Sequence, residues 1–554
     1  MTDHRRRSFL RAASWAGLAA LAPALRADPP DAVALPTDDL CVAGGVHAPL
    51  FIPGNRGLFG RLSPSGESLK LRMQRVAPTP TAPWPLAFVA QHRGKTYGNP
   101  TLLFKTGDRV RIELSNRLPD PSVVHWHGLT VDSRNDGAGS ALISAGDTYS
   151  YDFEVRNRAG LYWYHPHPHG LSGAQTYAGL FGMIEVEDAE EAALRSALDL
   201  IPAATEIPLL LQDRRGDEVY NPTGADAMHG FVGNQVLVNG SRCPYLDVAT
   251  RVYRFRVVNA SNARNYCLAA RTASGKRLPL IVIGTDGGLL AAPSSAPAVF
   301  VGASERVDVL LDLAGVELGD SVLLESLGFD PMHMEMPGMA SMPASQPVDH
   351  AAMGHAAGSG NVDARQATAA PAPSAASAIG HDGTQALLLE LRVKQRAVTN
   401  KPIPSRLSTL PVVNFDGAKE RSFRLGFSKG RWRINDQVFV MGETPIQVSR
   451  GTVETWLIRN YHTSMPHPMH LHGFQFRVIE RQTSPDQVAS LKVDDRGRTA
   501  TDLGLKDTVL VWPGESVRIG IDFSLPFPGP QDYMFHCHNL EHEDGGMMLG
   551  VRVA

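Results

Sequence analysis

The sequence predicts an all-β protein of three β-sandwich domains, and three observations carry that prediction. Apolar and polar residues alternate over short runs, turn formers are abundant at 52 Gly and 40 Pro, and the two ends of the chain repeat each other. Alternation at period two marks strands, and short strands between turns are the pattern of antiparallel sandwiches. At 554 residues the chain is too long for one core and suits three or four domains of about 150 residues.

The runs are clear in order. GDRVRIELSN from Gly107 sets Val110, Ile112 and Leu114 on one face, VYRFRVVNAS starts at Val252, and RGTVETWLIRN from Arg450 is read with Val453 and Leu457 inside. The first run, followed by HWHG at 125–128, matches the third, followed by HLHG at 470–473. WYHPHPHG with GLFGMIEVE likewise matches MFHCHNLEH with GGMMLGVRV, so the two end domains are duplicates. The middle segment has strands without histidine pairs. The expected domains are 45–190, 191–325 and 386–554, with a Met/His then Ala/Ser/Pro-rich linker at 326–385 that has little to bury.

Residues 1–27 join Arg5-Arg6-Arg7 to an Ala/Leu run and read as a twin-arginine export signal, too short to span a membrane. A periplasmic or secreted protein without a membrane anchor is expected. The balance of 53 basic against 56 acidic residues argues against a nucleic-acid partner. Of the four cysteines, Cys537 is surrounded by metal-ligand residues, which leaves Cys41 unassigned and Cys243 with Cys267 as a candidate disulfide.

The chemistry lies in four tracts: His125 and His127; His165 and His167; His467, His470 and His472; and His536, Cys537, His538 and His542 with Met547. On a strand, residues i and i+2 share a face, so each His-x-His pair offers two imidazoles to one point. In HCH, His536 and His538 face one way and Cys537 the other, so two metal sites share one strand, about 10 Å apart. One thiolate, two imidazoles and a thioether make a blue-copper site, here Cys537, His467, His542 and Met547. Pro468 is expected to break the strand and turn His467 away from His470. In the first domain the positions matching Cys537, His542 and Met547 hold Pro166, Leu171 and Thr176, so the blue site belongs to the last domain alone. Eight imidazoles remain and suit three further coppers. Zinc has no use for such a redox strand. Met469 and Met548 read as core packing, and His169 as a surface or supporting residue.

These motifs resemble those of the multicopper oxidases, the family of laccases, bilirubin oxidases and bacterial cuprous oxidases. The resemblance covers the chain after the export signal at 1–27 except the Met/Ala/Ser segment, and it implies three cupredoxin-like Greek-key domains and four copper ions. It further implies a type 2 copper on His125 and His470, and a type 3 pair on His127, His165, His538 and on His167, His472, His536. Glu543 and Asp136 stand where the family keeps proton-relay acids. The implied partners are O2 and Cu(I) or phenolic donors, and the chain is expected to act as a monomer. The Met332, Met334, Met336, Met339 and Met342 thioethers, with Met465, are soft ligands suited to Cu(I). Thr463 stands where cuprous oxidases carry an Asp, which weakens that likeness. Rival readings are a laccase with an organic donor and a copper-sequestering protein without turnover; a copper nitrite reductase is disfavoured, having no use for eight cluster imidazoles.

Overall fold

The computed structural model describes Cys41 and residues 47–554 apart from 65, 139–140, 217–218, 333–380 and 399–400. The export signal and Met334, Met336, Met339 and Met342 therefore lie outside the described residues. Six sheets pair into three sandwiches. Val110, Ile112 and Leu114 are buried in the first core, as the alternation predicts, and Phe255 and Val257 in the second. In the third, the strand Val453–Asn460 points Trp456 and Ile458 into the core, whereas Val453 is only partly buried. The inward register is thus one residue off from the sequence reading. Leu457 is buried as well, on the opposite face, so the strand carries apolar residues on both faces and alternation alone could not fix its register.

Each sandwich contains parallel pairs, a departure from the purely antiparallel expectation. Leu69–Arg75 runs parallel to Arg109–Asn116, Glu206–Arg214 to Val252–Asn259, and Lys419–Ser428 to Val453–Asn460. The same crossover therefore recurs three times, and the middle domain, which lost the histidine pairs, kept the topology. No helix among the described residues is long and apolar enough to cross a membrane.

Two expectations are corrected here. The strand Ala386–Gln395 pairs antiparallel with Ser321–Ser326 and parallel with Tyr245–Ala249, so it completes the middle sandwich and does not open the third. The segment read as an interdomain linker is an excursion within one sheet, and its feet meet where Phe329 N donates to Gly383 O at 3.0 Å. The disulfide joins Cys41 to Cys243, with Cα atoms 5.5 Å apart, and Cys267 is a free, buried thiol. Cys267 lies within the strand Tyr266–Thr272 and packs with Ala269 and Ala298, whereas Cys243 sits in the turn after Ser241–Arg242.

Candidate metal centre

The strand His467–Leu471 lies between Thr508–Val511 and Gln531–Cys537, with Met469 opposite Cys537 and His470 opposite His536. The strand is unbroken at Pro468, contrary to the sequence reading. His470 is three positions after His467, an odd step, so strand parity alone sends them to opposite faces. His467 shares the core face with Met469 and Cys537, while His470 joins His536 on the other.

On the core side, His467 Nδ1 and His542 Nδ1 each lie 3.5 Å from Cys537 Sγ. His542 returns to the sulfur because the helix Leu540–Asp544 starts at once after the strand, capped by Asn539, whose side chain accepts from Glu541 N and His542 N. Met547 is fully buried in the same core, and its carbonyl accepts from Cys537 N at 3.0 Å. His542 Nε2 donates to Met228 O at 3.0 Å, which leaves its Nδ1 lone pair aimed at sulfur. Burial drives the His542 pKa down to about 3 and the Cys537 thiol well up, so with no cation the site is a neutral thiol beside neutral rings.

On the other side, eight imidazoles converge from two domains, all but solvent-free. His125 Nε2 is 3.4 Å from His470 Nε2; His127 Nδ1 and His538 Nε2 lie 3.4 and 3.3 Å from His165 Nε2; and His536 Nε2 is 3.4 Å from His167 Nε2 and 3.0 Å from His472 Nε2. Burial and the neighbouring rings hold these histidines below their usual 6.5, hence neutral. The far nitrogens reveal the tautomers. Nδ1 of His125, His165, His470 and His536 donates to the carbonyls of Asp136, Pro166, Asp507 and Cys537, and Nδ1 of His472 donates to Asp136 Oδ2 at 2.7 Å. A neutral ring has one N–H, so the inward nitrogens of these rings carry lone pairs. Lone pairs facing each other in a dry interior repel unless a cation lies between them, and imidazole donors suit copper. The residues fit the metal.

The carboxylates are buried with the cluster. Asp136 ends the short helix Ser133–Asp136, closed by Gly137 at φ 78°, where a Cβ would land on the Val124 carbonyl beside His125. Burial lifts Asp136 to about 6. Glu543 sits 3.5 Å from His167 Nε2 and 3.4 Å from His536 Nδ1; burial lifts it to about 8, and its Oε2 has no hydrogen-bond partner. His169 is exposed and stands outside the cluster against Phe439. Met465 is buried in the third core, where no solvent ion reaches it, and Met332 packs at that core's edge.

Sequence reasoning missed three supports. Asp507 accepts from His127 Nε2 at 3.0 Å through Oδ1 and from His470 Nδ1 at 2.7 Å through its carbonyl, and Arg306 of the middle domain clamps both its oxygens. Trp432 lies edge-on to His467 at 4.6 Å and gives its N–H to Met228 O, the same carbonyl that orients His542. Trp163 stacks on His165 at 4.3 Å. The alternation around Arg306 and the aromatic character of the tryptophans were visible, but nothing local names their long-range partners.

Models of the family described as "Multicopper oxidase" match residues 92–191 and 412–554, the two domains that supply all of these ligands. The McoA multicopper oxidase of the hyperthermophile Aquifex aeolicus is 32% identical, with a TM-score of 0.75 over 92% of this chain and 99% of that one. The multicopper oxidase mco of Staphylococcus aureus is 27% identical, covering 82% of this chain and 81% of that protein. A laccase of Bacillus subtilis is 28% identical over 82% of this chain and 88% of that protein. With opposed imidazole lone pairs and a cysteine strand joining two sites, this similarity along nearly the whole chain makes the protein an oxidoreductase of the multicopper oxidase family.

Proposed function

We propose that this chain is an exported oxidase coupling one-electron oxidation of Cu(I) or phenolic donors to four-electron reduction of O2 to water. The observation that carries the reading is the facing of inward lone pairs from His125, His470, His472 and His536, with the Cys537 sulfur, held by His467 and His542, one residue from His536. Four bound coppers would supply single-electron acceptance at the Cys537 site and O2 reduction among the eight imidazoles. In this reading His467, Cys537, His542 and Met547 form the type 1 site, and His125 with His470 the type 2 site. His127, His165 and His538 hold one type 3 copper, and His167, His472 and His536 the other; the ring contacts of 3.0–3.4 Å agree with this partition.

The chain's own residues have separable tasks. Cys537 is bonded through the backbone to His536 and His538, which gives an electron a short covalent route. Asp136 Oδ2 fixes the His472 tautomer and so the direction of its lone pair. Glu543, dry and at the edge of the cluster, holds a proton for the oxygen being reduced. The metal-facing rings His467 and His542 are 0% and 1% exposed, so a phenol does not touch His467 directly, as an outer-edge contact would require. Phe427, 40% exposed and 5.1 Å from Trp432, offers the nearer landing surface. The Cu(I) reading rests on the thioether tract from Met332 to Met342. Export rests on the Arg5-Arg6-Arg7 segment, and the Cys41–Cys243 disulfide suits an oxidising compartment.

Replacing Cys537 by Ser tests the reading. The intense visible absorption and the oxidase activity should both disappear while the circular dichroism of the β-sandwiches persists. Turnover of phenolic dyes by Cys537→Ser would overturn the proposal.

A further inference from the structure

A cleft of about 810 Å3 lies where the segment 405–416 passes from the middle sandwich to the third. Its lining contains none of the copper-site residues. Ala291 and Ala292 of the strand Gly288–Ala296 form one wall, and Arg477 and Ile479 of the strand Phe476–Gln482 form the other. The first domain reaches the same place, because Arg158 donates to Gly287 O and Leu289 O at 3.2 Å and to Ser408 Oγ at 2.7 Å.

The charge of this cleft runs against that of the chain, whose formal net charge is -3. Arg406, Arg477, Arg496 and Arg498 line it with a single carboxylate, Asp416. Arg498 is paired with Asp494 at 2.7 Å. Among the described residues, none of the other three guanidinium groups has a carboxylate within ion-pair distance. Arg477 gives one N–H to Pro411 O, while its Nε is buried without a partner. Burial and the nearby charges of Arg498 and Arg158 disfavour its cationic form. An oxyanion there would pair that Nε and offset the repulsion that Arg498 and Arg158 exert on Arg477, and guanidinium forks match carboxylate geometry. Beside the arginines the lining is mixed: Ser405, Ser408, Thr409 and Asn414 are polar, while Leu410, Val413, Phe415 and Ile479 supply apolar surface. The volume is that of a small-molecule site, far larger than an inorganic ion needs.

We propose that this interdomain cleft binds a small organic carboxylate, its head on Arg477 and its apolar body against Phe415 and Ile479. The ligand would fasten the segment 405–416 to the sandwiches on either side.

The test is calorimetric titration of the copper-loaded protein with 2-naphthoate, 2-naphthamide and inorganic phosphate. Naphthoate should bind at least tenfold more tightly than either, because the amide lacks the charge and phosphate the apolar body. Arg477→Gln should weaken naphthoate at least tenfold and leave phenol oxidation unchanged. If Arg477→Gln does not fold, the exposed Arg496→Gln should weaken it several-fold. Naphthoate should also raise the unfolding midpoint of the parent protein with concentration, and not that of the variant. Equal binding of naphthoate and naphthamide, equal binding of phosphate, or unchanged affinity in the arginine variants would each overturn the proposal.

Discussion

His470 shows how much one side chain carries. Its Nδ1 is committed to Asp507 O at 2.7 Å, so its Nε2 has a lone pair directed at His125, and the ring has no second orientation that satisfies both ends. His470→Ala should keep the blue colour, since His467, Cys537 and His542 are untouched, and abolish O2 consumption. Loss of colour with O2 consumption kept would exchange the roles of His467 and His470. Glu543 acts differently, as a carboxyl in a dry site whose Oε2 lacks a partner. Glu543→Gln keeps the shape and removes the transferable proton. Reduction of O2 should slow about 100-fold while anaerobic bleaching of the blue site by a reductant keeps its rate. An unchanged turnover number would limit Glu543 to packing against His167 and His536.

At the scale of elements, the strand Arg306–Asp312 belongs to the middle sandwich, yet its first residue holds the cluster in place. Arg306 bonds both oxygens of Asp507 and also the carbonyls of Leu161 and Ser304, joining all three domains beneath His127 and His470. Removing one partner of a buried pair leaves an uncompensated charge, at a cost of about 3–5 kcal/mol. Arg306→Leu should therefore lower the unfolding temperature and, by freeing Asp507, weaken copper binding in the cluster about 10–100-fold. The expected product is a blue protein deficient in copper and inactive toward O2, read by metal analysis beside the visible spectrum. Full copper content in Arg306→Leu would show that Asp507 is held well enough by its backbone. The helix Gly224–His229 is another middle-domain element at a site, because Met228 O orients both His542 and Trp432.

For the whole molecule, the correction at Ala386–Gln395 changes what the Met tract is. The tract leaves and re-enters one sheet, between adjacent strands, so shortening it does not alter how the second and third sandwiches are connected. Phe329 and Met332 at its foot pack against third-domain residues, Trp512 in the case of Phe329, so a deletion should begin after Met332. Removing 333–347 should lower Cu(I) oxidation several-fold and leave phenol oxidation unchanged or faster. Equal loss of both activities would mean that the tract supports folding or copper loading, and the donor would then be an organic reductant.

By itself the sequence determined whatever depends on a local period. The i, i+2 spacing marked His125 with His127, His165 with His167 and His536 with His538 as pairs that reach one cluster, although the second His of each pair stands just past the end of its strand, and parity turned Cys537 away from His536, because a strand alternates sides at every residue. Duplication of those motifs located both metal-bearing domains. Where both faces of a strand are apolar, as around Leu457, the period lost its meaning and the register was misread. Tertiary structure alone decided which imidazoles meet across the two domains, that Asp507 and Arg306 stand behind them, that Met228 and Trp432 cover His542, that Cys41 is the partner of Cys243, and that Ala386–Gln395 closes the middle sheet. Each of these joins residues far apart in the chain, as when Arg306 meets Asp507. Such pairings are chosen by the competing burial and hydrogen-bond demands of whole sheets, which no short stretch of sequence records.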